Sequence, residues 1–101
     1  MMAFSNRVVV PAHVLVRHLD GEIVLLNLET EKYFGLDSTA TRMWEISTHC
    51  PSIETAYCRL HEEFDVEPGL LRTHLAELLA QLVDNGLLQV VPADVESIPA
   101  I

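Results

Sequence analysis

The sequence predicts an α+β domain in which a three-stranded antiparallel sheet is followed by three helices, a compact winged helix-turn-helix-like fold with the order β-β-β-α-α-α. Three observations carry this prediction. Two runs rich in Val, Leu and Ile, residues 14–19 and 22–28, flank Asp20-Gly21, a dipeptide suited to the positive φ angles of a two-residue hairpin turn. Beyond residue 37 the apolar period changes from that of strands to that of helices. The 101 residues, 50 % of them hydrophobic, suffice for one modest core without disulfide or metal staples.

The elements follow in order. Residues 1–11 and 92–101 lack a sustained period and hold prolines, so they are expected to be tails around a domain at residues 12–91. After the hairpin, Glu29-Thr30-Glu31 reverses the chain, and Lys32-Tyr33-Phe34-Gly35-Leu36 reads as a short third strand. Tyr33 and Phe34 point to opposite faces, so one belongs to the core and the other is accessible. Asp37 offers a capping carboxylate to a helix with Ala40, Met43, Trp44 and Ser47 on one stripe. Pro51-Ser52 opens a second helix, patterned by Ile53, Ala56, Tyr57, Leu60 and Phe64. Pro68 suits the first turn of a third, whose Leu71, Leu75, Leu78, Leu79, Leu82 and Val83 recur at helical spacing until Asn85-Gly86 stops it. Leu70 widens that stripe, and Ile23-Val24-Leu25-Leu26 is apolar on both faces of its strand, so more apolar surface exists than one core needs.

Composition removes several function classes. With 15 acidic and 6 basic residues the formal charge is -9, which repels phosphate backbones. The third helix offers only Arg72, Gln81 and Asn85 to a nucleic acid, among leucines. No run approaches the ~20 apolar residues of a membrane span, and the N-terminus lacks signal-peptide features, so a cytoplasmic protein with reduced Cys50 and Cys58 is expected. Cys58-x-x-His61 sets two ligand types one helical turn apart, but no second pair matches it, and no metal site is expected. Phosphate loops, dinucleotide glycine motifs and zinc-protease motifs are absent, no cofactor is expected, and the scattered carboxylates read as a solvated surface. An enzyme is not expected.

The stretch EIVLLNLETEKYFGLDSTATRMWE, residues 22–45, carries a strand, an N-x-x-T-x-x-Y/F turn and strand, and an L-D-x-T-A entry into a helix bearing a tryptophan. It continues through F-D-V-x-P at residues 64–68 and L-x-x-L-V-D-N-G-L-L at residues 79–88. These motifs, over roughly residues 13–90, resemble the PqqD-like family of pyrroloquinoline quinone biosynthesis protein D, the RiPP recognition element. Stand-alone chains of this pattern look most like the leader-binding proteins of lasso-peptide clusters. The resemblance implies non-catalytic binding of a precursor's leader peptide as an added antiparallel strand, in a groove between the third strand and the third helix. Carried over by position, the edge is Glu31, Lys32, Tyr33, Phe34, Gly35 and Leu36, and the helix wall is chosen as Arg72, Leu75, Leu78, Leu79 and Leu82. The partners implied are the leader, then a leader peptidase and a cyclase, or a radical enzyme in a quinone-cofactor system. An unoccupied edge also invites a homodimer. On this mapping, variants with a charge at Leu75 or a proline at Phe34 bind the peptide poorly and remain folded.

Overall fold

The computed structural model describes residues 3–92. Eight elements run in the order β1 (Asn6–Val9), β2 (Val14–Leu19), β3 (Glu22–Asn27), β4 (Lys32–Leu36), α1 (Ser38–His49), α2 (Ile53–Glu63), α3 (Pro68–Asp84) and β5 (Gln89–Pro92). Strands β2, β3 and β4 form the expected antiparallel meander, in that spatial order. Its hairpin closes on Leu19 opposite Glu22, with φ of +48° at Asp20 and +82° at Gly21, the double positive φ of a type I′ turn. The expected α+β class and the β-β-β-α-α-α order are present, with one strand added at each end.

Those added strands correct the reading of the first eleven residues as a tail. β1 and β5 pair antiparallel, Asn6 opposite Pro92 and Val8 opposite Val90, in a separate two-stranded sheet. Val8 is 1 % exposed and Phe4 8 %, so this segment belongs to the core. The Arg7-Val8-Val9-Val10 run finds its partner at the other end of the chain, where no local pattern can register it. Pro92, assigned from sequence to the C-terminal tail, ends β5; residues 93–101 lie outside the described residues.

Each helix begins where a side chain satisfies its free amides. Asp37 Oδ1 accepts from Ala40 N at 2.8 Å, Ser52 Oγ from Thr55 N at 3.1 Å, and Glu67 Oε1 from Leu70 N at 2.8 Å, with Pro68 in the first turn of α3. The core joins Ile23 and Leu25 of β3 to Met43 and Trp44 of α1, Ile53 and Leu60 of α2, and Leu71, Leu75, Leu79 and Leu82 of α3. Leu75 has no exposed surface, whereas Leu70, one step off the stripe, is 49 % exposed. Truncating Leu75 to Ala is therefore expected to cost about 2–5 kcal/mol in urea unfolding, and Leu70→Ala less than about 0.5 kcal/mol.

Candidate functional site

β4 is an edge strand, and its hydrogen-bond phase can be derived. In a two-residue hairpin the closing residues Leu19 and Glu22 exchange hydrogen bonds, so alternation assigns Glu22, Val24 and Leu26 to β2. The backbone groups of Ile23, Leu25 and Asn27 then face β4, opposite Leu36, Phe34 and Lys32. Thr41 agrees with this phase at the Leu36 end: its hydroxyl accepts from Ile23 N at 3.1 Å and donates to Leu36 O at 3.1 Å, bridging the two groups. The N–H and C=O groups of Tyr33 and Gly35 consequently point away from β3, toward the open edge. They form a short ladder ready for another strand.

Side chains alternate across this ladder. Phe34 is half-buried against the core, while Tyr33 is 71 % exposed on the outer face of the sheet beside Leu26. That outer face also carries the exposed Leu15 and Leu19 and the half-buried Val24, so the second apolar face of β3 predicted from sequence is real. Gly35 has no heavy atom within 4 Å of where a Cβ would stand, leaving the backbone there open to approach. Two residues assigned to the edge sit differently. Glu31 lies in the β3–β4 turn at φ +63°, donating its N–H to Asn27 O at 2.7 Å, and the Leu36 side chain is in the core at 6 % exposure.

The helix wall chosen from sequence needs a larger correction. Leu75, Leu79 and Leu82 are at most 1 % exposed and have no surface to offer a peptide, because they seal α3 against the core. Arg72 lies on a different flank: its guanidinium sits 4.1 Å from the Phe4 ring centroid and pairs with Glu54 at 3.1 Å. The Glu54 hydrogen bonds raise its pKa above the ordinary arginine value. Leu78 alone of the five is half-buried beside the leucine stripe, and residues at helical spacing from it, His74 and Gln81, are exposed and continue the same flank. Sequence reasoning passed over both because a polar residue on a leucine-rich helix reads as ordinary solvent face.

This flank runs down to a polar cleft at the Lys32 end of β4. The cleft, about 440 Å³, is lined by His13, Asn27, Glu29, Thr30, Lys32, Asp84, Asn85 and Gly86, so the start of β4 and the end of α3 form its walls. A larger groove of about 610 Å³ lies on the Arg72 side of α3, between Phe4 and the small residues Gly69, Thr73, Ala76 and Ala80. It has no strand edge, and size alone does not make it the better site for an extended peptide. Among the described residues no group of three or more His, Cys, Asp or Glu side chains is placed to hold a metal ion; Cys58 is exposed and Cys50 buried. No described helix is long and apolar enough to cross a membrane.

An open strand with a set hydrogen-bond phase, beside a helix flank and a polar cleft, defines a strand-accepting domain. Residues 22–88 match the family model of coenzyme PQQ synthesis protein D (PqqD), and the chain belongs to that family. It is similar in structure to TbiB1 in complex with the TbiA(beta) leader peptide, at a TM-score of 0.72 and 30 % identity over 80 % of this chain and 94 % of that one. A lasso peptide synthetase B1 complexed with its leader peptide shares the fold, with a TM-score of 0.71 and 24 % identity over 82 % and 98 % of the two chains. No curated protein sequence matches the chain at a significant level. The derived ladder makes a direct prediction for amide exchange in the free protein: Leu25 and Phe34 exchange slowly, whereas Tyr33 and Gly35 exchange at least about tenfold faster. Equal protection at all four would mean that the phase is wrong.

Proposed function

We propose that this protein binds the leader segment of a ribosomally made precursor peptide by strand addition to β4 and presents it, without catalysis, to separate processing enzymes of the lasso-peptide type. The observation that carries the proposal is the open ladder of Tyr33 and Gly35, in a chain 30 % identical to a protein whose structure holds a leader peptide. Main-chain bonds at these two residues supply affinity for any extended segment, and the side chains around them select the sequence. Phe34 and Leu78 furnish the apolar contacts, His74 and Gln81 the polar ones. The net charge of -9 favours a leader with few acidic residues.

The enzymes served are a leader peptidase and a cyclase, in the cytoplasm where precursor peptides are made. A radical enzyme of quinone-cofactor synthesis is the alternative within the same family. Since the same edge can pair with a second copy of the chain, self-association competes with the peptide for Tyr33 and Gly35.

The mutations that test this differ from those the sequence alone offers. A charge at Leu75 tests folding, because that side chain is fully buried. Proline at Phe34 breaks the pairing to Leu25 within the sheet. Gly35→Pro instead removes an outward-facing donor, and an edge strand tolerates the ring. Titrating isotopically labelled protein with a synthetic leader from the adjacent precursor gene should shift the amides of residues 32–36 and of 74, 78 and 81. Gly35→Pro should weaken binding about tenfold or more with little loss of stability, whereas Arg72→Ala should bind as the parent does. Shifts confined to the Arg72 groove, or no shifts and a concentration-dependent mass, would overturn the proposal.

A further inference from the structure

Asn27 stands on the core face of β3, in line with Ile23 and Leu25, and is 3 % exposed. A polar side chain at such a place is costly unless all its groups are bonded, and this one bonds in two directions. Its Oδ1 accepts from Glu29 N at 2.9 Å and Thr30 N at 3.3 Å, which shapes the turn into β4. Its Nδ2 donates to Asn85 O at 3.0 Å, one of the carbonyls left free where α3 ends. Next to it, His13 Nε2 donates to Gly86 O at 3.0 Å. Gly86 completes the fit: at φ +72° it turns the chain out of the helix, and a Cβ there would lie 2.7 Å from Asn27 Nδ2. The N-x-x-T and D-N-G segments, far apart in sequence, thus meet as one clasp.

We propose that Asn27 is a positioning residue for peptide binding: it ties the β3–β4 turn to the C-terminal end of α3 and so sets the separation between the open edge of β4 and the helix flank. The proposal rests on the reading of β4 as the leader-binding edge. The buried leucines seat α3 on the shared core and Arg72 ties its other flank to Phe4 and α2, whereas the Asn27 bonds join the C-terminal end of α3 directly to the β3–β4 turn. The clasp sits at the Lys32 end of the edge, where the polar cleft lies. A peptide strand entering beside β4 therefore meets a gap of preset width, which spares it the ordering cost of closing the gap itself.

Asn27→Asp separates the two directions of bonding. The aspartate keeps an acceptor for the Glu29 and Thr30 amides but cannot donate to Asn85 O. Gly86→Ala strains the same clasp from the helix side with Asn27 intact. Two readouts decide. In a Cys58→Ser background, spin labels at Tyr33→Cys and Gln81→Cys report the edge-to-helix distance by pulsed dipolar spectroscopy in the free protein. Calorimetric titration of the unlabelled variants with the synthetic leader reports affinity. Asn27→Asp should lengthen or broaden the distance and weaken binding about tenfold or more, while Phe34 keeps its slow amide exchange. The double variant Asn27→Asp/Gly86→Ala should bind little worse than the weaker single, because both act through one gap. An unchanged distance, parent-like affinity, or losses that simply multiply would overturn the positioning role. If the parent protein itself ignores the leader, the proposed function falls, and the dipolar distances still decide whether Asn27 sets the gap.

Discussion

Leu71, Leu75, Leu79 and Leu82 occupy one arc of α3, all at 2 % exposure or less, and this arc dictates where the remaining elements can lie. A helix offers a single apolar stripe to one core, and once that stripe is sealed it has nothing left for a ligand. The flanks are what remain. One meets Phe4 and the aromatic neighbourhood of Arg72; the other, through Leu78, leads toward the cleft beside β4. Any groove between helix and strand is therefore built from a flank, with one half-buried leucine and polar neighbours.

The meander is held to the helices at both ends by polar side chains that stand in for backbone pairing. At one end the Thr41 hydroxyl bridges Ile23 N and Leu36 O, so β4 can leave the sheet and enter α1 without orphaning either group. At the other, Asn27 serves the turn amides and a terminal carbonyl of α3. Between these two anchors β4 runs five residues, with its inner groups turned to β3 and its outer groups turned to the open edge. A mobile edge would lose more entropy on accepting a strand; anchoring it in advance lowers that cost. The same anchoring serves the proposed addition of a peptide strand to β4 in one register.

The PqqD match spans residues 22–88, beginning with β3 and ending past the clasp, so it leaves β1, β2 and all of β5 outside. The terminal ribbon of β1 and β5 buries Val8 and packs on α1 and α2, and Phe4, just before it, lines the groove on the Arg72 side of α3.

The sequence by itself determined what depends on neighbours in the chain. The Asp20-Gly21 turn, the strand at residues 32–36, the Asp37 cap and the end of α3 at Asn85-Gly86 are each set by local backbone preferences and short-range periodicity, and all appear in the structure. Motif spacing likewise made the family legible. Only the tertiary structure decided which leucines are covered, because Leu75 and Leu78 belong to the same apolar period and differ only in what packs against them. It also decided the partner of β1, the flank that Arg72 takes, and the meeting of Asn27 with Asn85. Each of these joins residues distant in sequence, and contacts of that kind leave no trace in local propensity or period; they exist only once the chain has closed on itself.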